Sequence, residues 1–373
     1  MKALRRVEAL LFDTSPASFL LLLFGVMLLR TGVWLMPNLD LGALVARNPF
    51  ANPFPDPESH YLLGNWLGPF LAWTLRFHRP TFFFALHAAF GLAFTALFVA
   101  LAFRRFPPRE ARVALILFAA LPVSATAWFW IGPDGLTLLL LLAALALARR
   151  PPAVGLVGVA LGMQHFEQGC LAAAGLLAAT LLARRQGIAT LCGPRAALAL
   201  LAGVVLGKAG LHGILAWNGV AVRSGRLDWL AAHLGECLRQ FLLHPHVVLW
   251  SVLGPGWLVA LRYADLGRRS LPFFLPLGAL LLLLPLAGDQ TRVLAVVTFP
   301  LVAVFWLLDG SFLARTARAE AAGLFVVWAV TPWSWAWGGT PRWSALPYDF
   351  ALVLNRLFGW FAVPPNPLPW PFQ

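Results

Sequence analysis

Apolar runs of membrane-spanning length alternate with short basic clusters along the whole chain. The first runs from Ser18 to Met36, and others fall near 81–103, 112–131, 135–148, 196–216, 246–262, 271–287, 292–308 and 321–337. A further pair, 152–163 and 170–183, is split by a polar tip. Roughly 20 apolar residues in a helix cross the hydrocarbon of a bilayer, and a helix satisfies its own backbone there. The pattern therefore predicts an all-α polytopic membrane protein with about eleven transmembrane helices. Residues 1–373 read as one transmembrane domain, without a separate soluble domain, internal repeat or low-complexity tail.

The polar positions predict how the connections are built. In 228–242, apolar Trp229, Leu230, Leu234, Leu238, Phe241 and Leu242 oppose Asp228, Glu236, Arg239 and Gln240, which suits a helix lying in the membrane interface. A second helix is expected over 60–77, and 347–362 reads as interfacial rather than spanning, with Asp349 and Arg356 on one face. The run 152–163 reaches only about 18 Å at the helical rise, so 152–183 is expected to be a half-length hairpin. Its tip, Gln164-His165-Phe166-Glu167-Gln168-Gly169, then lies at membrane depth, where polar groups need protein or water around them.

Composition removes two function classes. With 60% hydrophobic and 12% charged residues, the chain is not an ordinary soluble protein. A net charge of +13 invites a nucleic-acid reading, but the basic residues sit in short clusters between apolar runs, not in a patch interleaved with aromatics. They report topology instead: with the N-terminus inside, seventeen Lys and Arg fall on the inner side and nine on the outer. The Lys2-Arg5-Arg6 start without a small-residue cleavage site predicts a retained first helix with a cytoplasmic N-terminus. On this topology the long connections 37–80, 217–245 and 338–373 are all outer. Usage of Ala, Leu and Arg suggests a bacterial inner membrane with a periplasmic site. Cys170, Cys192 and Cys237 fall in the membrane, inside and outside respectively, and give no disulfide framework. The tryptophans near the last span read as an aromatic belt or as a stacking surface for sugar or lipid.

Candidate chemistry concentrates in the outer segments. The first loop carries Asp56-Pro-Glu58-Ser-His60-Tyr61, whose prolines prevent a regular helix through the acidic pair. Asp56 or Glu58 suits a general base toward an acceptor hydroxyl, with His60 and Tyr61 as substrate contacts. If a divalent metal ion is used, Asp56, Glu58 and His60 are its expected ligands. The plainer alternative is a solvated loop that caps the helix beginning near Ser59. Asp134, in Gly132-Pro133-Asp134-Gly135, is either a turn residue or a substrate contact. His165, Glu167 and Gln168 at the hairpin tip are costly at depth unless paired or hydrated. Lys208, midway along a span, is expected to pair with Glu167. In Gly288-Asp289-Gln290-Thr291-Arg292, the arginine suits a phosphate clamp, or else Asp289 and Arg292 close the turn on each other. No phosphate-binding loop, His-Glu-x-x-His or Gly-x-Ser-x-Gly is present.

An acidic-x-acidic outer loop after the first span (Asp56-Pro-Glu58), the Tyr61–Phe77 segment, the Pro133-Asp134 turn and the polar-tipped hairpin together resemble the GT-C superfamily of polytopic glycosyltransferases. The resemblance covers the first two hundred residues best. It implies a sugar drawn from a polyprenyl-phosphate donor, with Asp56 as catalytic base and Glu58 as its competitor. In that superfamily basic groups receive the lipid phosphate; Asp289-Gln-Thr-Arg292 matches no fixed counterpart there, so assigning the phosphate to Arg292, with His165 and Lys208, rests on the residues themselves. From their own positions, Asp134, Glu167, Gln168 and Asp289 are expected to contact substrate, and the acceptor would be a lipid or glycan at the outer face. Two alternatives stay open: a polysaccharide polymerase or ligase using polyprenyl-diphosphate donors, for which Arg223, Arg226 and Arg239 are available, and a lipid or solute transporter or flippase.

Overall fold

The computed structural model describes residues 2–31, 34–35, 39–128, 130–221, 225–331, 335–337 and 340–342, together with 355, 358 and 359. The fold is all-α apart from two short strand pairs. Five helices are long and apolar enough to cross a membrane: Pro80–Arg105, Pro151–Arg185, Pro194–Trp217, Gly267–Leu286 and Gln290–Leu307. The number is up to eight if each of three bent pairs counts as one span. This is consistent with an integral membrane protein but does not reach the expected count of about eleven.

The shortfall has a physical cause. Hydropathy registers apolar composition and is blind to breaks inside an apolar run. The expected span 112–131 is bent by 71° between Pro108–Ala120 and Pro122–Trp128, and 246–262 is bent by 77° between Pro245–Leu253 and Gly256–Ala264. Proline begins the second limb of one, lacking the N–H that would continue the ladder, and Gly254 at φ 53° turns the other. The apolar 135–148 and 321–337 form helices of only 13 residues, Asp134–Ala146 and Arg318–Val330. At the N-terminus, Lys2–Phe12 and Pro16–Thr31 meet at 117°. Arg112 holds that corner by donating to the carbonyls of Leu11 and Thr14.

The half-length hairpin takes a form the sequence did not suggest. Residues Pro151–Arg185 are helical throughout, but His165 has non-helical torsions (φ −161°, ψ 87°) and the helix breaks there. A Cβ built on Gly169 would stand 2.9 Å from the Leu161 side chain. Eight residues apart on a straight helix are about 12 Å apart, so the second limb turns back. The following helix confirms the direction. Gly155 faces Gly203 and Val159 faces Gly207, so Pro194–Trp217 runs parallel to the first limb, and the eight-residue connection 186–193 must return to its start.

Glycine makes this pairing close. A Cβ on Gly162 would lie 2.1 Å from the Val204 carbonyl oxygen, and one on Gly207 would lie 2.1 Å from that of Val159. The spacing Gly158-x-x-x-Gly162 against Gly203-x-x-x-Gly207 lets the two backbones touch, the small-residue contact by which helices associate in lipid.

At the centre lies Gln290–Leu307, whose apolar window is 89% buried against 33–44% for the other four. Its start is clasped by a strand: Thr291 Oγ1 accepts from the Ala336 N–H at 2.7 Å, within a hairpin that pairs Trp335–Trp337 with Thr340–Arg342. A parallel pair, Trp34–Leu35 with Trp130–Ile131, joins two other connections. The expected 60–77 helix divides into a 3₁₀ run, Pro57–Asn65, and an α-helix, Leu67–Thr74, with Trp66 between them. The 228–242 segment is a helix, Gly225–Leu243. Most of 338–373, including nearly all of 347–362, lies outside the described residues.

Candidate functional site

Three of the sequence candidates meet in one buried ionic cluster. Arg292, in the first turn of the central helix, donates from Nε to Asp289 Oδ2 at 2.6 Å. From Nη1 it donates to both oxygens of Asp134, at 3.0 and 3.3 Å. Asp134 opens the 134–146 helix from another part of the chain and is wholly buried. The turn-closing alternative for Asp289 and Arg292 is therefore present, and Asp134 is added to it from 158 residues away. Nη2 of Arg292 has no hydrogen-bond partner among the described residues, so one face of the guanidinium stays unengaged.

Two carboxylates share one guanidinium, and the formal charge of the cluster is negative. Burial holds the Asp289 carboxyl above the ordinary carboxylate range. Arg292 pulls it down by charge and hydrogen bond, and the nearby Asp134 pushes it up again. Among the described residues, Asp289 Oδ1 is buried without a partner, as are both amide atoms of the neighbouring Gln290.

Gln164 connects this cluster to the first loop. Its Oε1 accepts from the Gly68 N–H at 2.8 Å, and its Nε2 donates to the Pro133 carbonyl at 3.1 Å, beside Asp134. The break at His165 frees carbonyls of the preceding turn. One of them, Met163, accepts from the Trp66 N–H at 3.1 Å. The break is thus satisfied by the segment that follows the acidic loop, as a backbone carbonyl buried away from water requires.

The remaining candidates are arranged around this core. His165, 2% exposed, lies 3.6 Å by Nδ1 from Glu167, which is much more exposed. Gln168 is buried, with its Oε1 unpartnered among the described residues. The expected Lys208–Glu167 pair gives way to a different contact: Lys208 Nζ stands 5.5 Å from the centre of the Phe166 ring. Asp56 is exposed and accepts from the Ser59 hydroxyl at 3.2 Å. His60 is buried, its Nε2 2.8 Å from Asn52 Nδ2 and 3.3 Å from the Phe54 carbonyl. Tyr61 is half-buried. The Glu58 side chain, Arg223 and the Arg226 side chain lie outside the described residues. Among the described residues no group of three His, Cys, Asp or Glu gathers as a metal would require. With Asp56 facing out and His60 facing in, these two do not converge on one ion.

The helix Gly225–Leu243 spans the two halves of the site. It packs on the 57–65 run of the first loop and on the 284–286 turn that leads to Asp289. Trp229 and Cys237 lie 3.9 and 4.0 Å from where a Cβ on Gly288 would be. Sequence reasoning passed over Gln164, Gly68 and Gln290, which carry or border the network. Gln164 had a visible signal, an amide in the same apolar hairpin as His165, whereas Gly68 contributes only a backbone N–H.

No protein family, no curated protein and no solved structure matches the chain.

Proposed function

We propose that the protein is a membrane glycosyltransferase that moves a sugar from a polyprenyl-phosphate donor to an acceptor hydroxyl, at the membrane face bearing the first loop. The observation that supports it best is that the acidic loop and the arginine-bearing turn lie under one amphipathic helix, with a partly unengaged guanidinium between two carboxylates. In this reading the Asp56 carboxylate takes the acceptor proton, with Glu58 as the competing base. The acceptor oxygen bonds to the anomeric carbon as the bond from that carbon to the phosphate oxygen breaks. The electron pair leaves on the lipid phosphate, toward which Arg292 Nη2 donates. Attack from the side opposite the phosphate inverts the anomeric carbon. The site would be periplasmic in a bacterial inner membrane.

The buried ion cluster and the helix broken at His165 favour a second reading, transport of an anionic lipid or solute through the bundle. One experiment separates the two. The purified chain in liposomes is given a radiolabelled polyprenyl-phosphate sugar together with acceptor lipids, and release of polyprenyl phosphate is measured. Glycosyl transfer predicts release by the wild type and loss of about two orders of magnitude or more in Asp56→Asn, the usual scale for removing a general base, with melting unchanged. A fully active Asp56→Asn removes the assignment to this carboxylate. Movement of unaltered donor across the bilayer without release supports transport.

A further inference from the structure

Away from this site, a cavity of about 200 Å³ opens where Pro80–Arg105, Pro151–Arg185 and Gln290–Leu307 end, with Arg105 in its wall. Its polar lining includes Arg105 at the end of one helix, Asp309 ahead of another and Thr190 in the 186–193 connection. Asp309 Oδ1 is committed to capping the next short helix, taking the N–H groups of Ser311 and Phe312 and the Ser311 hydroxyl. Its second oxygen has no partner among the described residues. The Arg105 guanidinium has no hydrogen bond there either, only the Phe106 ring at 5.8 Å. The two opposite charges share a cavity without pairing. The apolar wall is a π-helical turn, Ala303–Leu307, closed by the Leu308 N–H on the Ala303 carbonyl at 2.8 Å. Such turns are uncommon and often mark functional sites, and this one follows Pro300, which interrupts the regular ladder.

A cation and an anion held apart at a membrane boundary, over an apolar wall, suit a ligand carrying both charges and an apolar tail. We infer that this cavity binds the phosphoethanolamine headgroup of an aminophospholipid, the phosphate on Arg105 and the ammonium on the free oxygen of Asp309. A single water needs about 10–15 Å³ on this measure, so the cavity has room for a headgroup of several heavy atoms. Trimethylation would remove the ammonium donors, and a glycerol headgroup has no cation to offer Asp309.

The test is lipid retention by the intact protein, measured by native mass spectrometry against phosphatidylethanolamine, phosphatidylcholine and phosphatidylglycerol of identical acyl chains. Phosphatidylethanolamine should be retained about tenfold better than the other two, the effect of one charge-assisted hydrogen bond. Asp309→Asn should abolish that preference, and Arg105→Gln should lower retention of all three lipids, since each carries the phosphate. Asparagine keeps the helix cap, so this variant folds. Equal retention of the three lipids, an unchanged preference in Asp309→Asn, or undiminished retention in Arg105→Gln overturns the inference. Competition by free phosphoethanolamine as strong as by the diacyl lipid overturns the lipid assignment in favour of a soluble zwitterion.

Discussion

The cluster of Asp134, Asp289 and Arg292 makes a prediction in which the order of effects matters more than their size. Replacing Arg292 by Gln leaves Asp134, fully buried, and Asp289, 13% exposed, without their common counter-charge. Removing one member of a buried pair in this way costs about 3–5 kcal/mol. Replacing Asp134 by Asn is a smaller insult. Arg292 keeps its 2.6 Å bond to Asp289, the amide oxygen can still accept from Nη1, and the formal charge of the cluster falls to zero. The loss is that of one charge-assisted contact, about 1.5–3 kcal/mol.

The double variant Asp134→Asn/Arg292→Gln should therefore cost less than the two single costs added, by about 1–3 kcal/mol, because the second change removes a partner already lost. Cys192 and Cys237 are buried and free, so thiol labelling in graded denaturing detergent reads the native population directly. Strict additivity would show that the 3.0 Å contact does not couple the two residues, and an Asp134→Asn effect as large as that of Arg292→Gln would overturn the order of effects; either refutes the reasoning.

Acid should stabilise the fold through Asp289. Its folded carboxyl titrates above the ordinary range of about 3.9, so the neutral form is the better folded one; this stability is complete below the unfolded value and is lost as pH rises through the folded value. Melting temperature against pH should fall across that window in the wild type and be flatter in Asp289→Asn. Equal slopes would remove the claim. Gly207→Ala should destabilise by about 1–3 kcal/mol, because its new methyl would meet the Val159 carbonyl at 2.1 Å. Gly213→Ala on the same helix meets nothing within 4 Å and should be neutral or stabilising by up to about 1 kcal/mol, and melting curves of the two variants check the contrast.

What the sequence made legible, and what it hid, follow from one distinction. Composition and spacing show where a chain is apolar, and the helices at 80–105, 194–217 and 290–307 were visible for that reason. Breaks within apolar runs were not, because Pro122 and the Gly254-Pro255-Gly256 turn alter direction without altering hydropathy. Pairings between distant segments were hidden more deeply. Asp134 and Arg292 each stood out as charges near the membrane, but nothing along the chain says that residues so far apart share hydrogen bonds. Lys208 shows the converse. Charge alone assigned it to Glu167, while the turn at His165 presents the Phe166 ring instead.

Charge balance also decides how Arg292 could serve a phosphate. A guanidinium between two ionised carboxylates offers an approaching anion little net attraction, since the cluster is already negative by one. Burial changes this. By favouring the neutral form of Asp289, it moves the cluster toward zero charge, with Asp134 neutralising Arg292 and Nη2 pointing nowhere else among the described residues. An anion arriving there would meet a directed donor in place of a repelling pair, and its own charge would raise the Asp289 carboxyl further. Phosphate binding and proton uptake at Asp289 would then be linked, each favouring the other by the same factor. On the glycosyl-transfer reading, polyprenyl phosphate should bind more tightly in acid, whereas Asp289→Asn, neutral at every pH, should lose that dependence while keeping the Asp134–Arg292 contact.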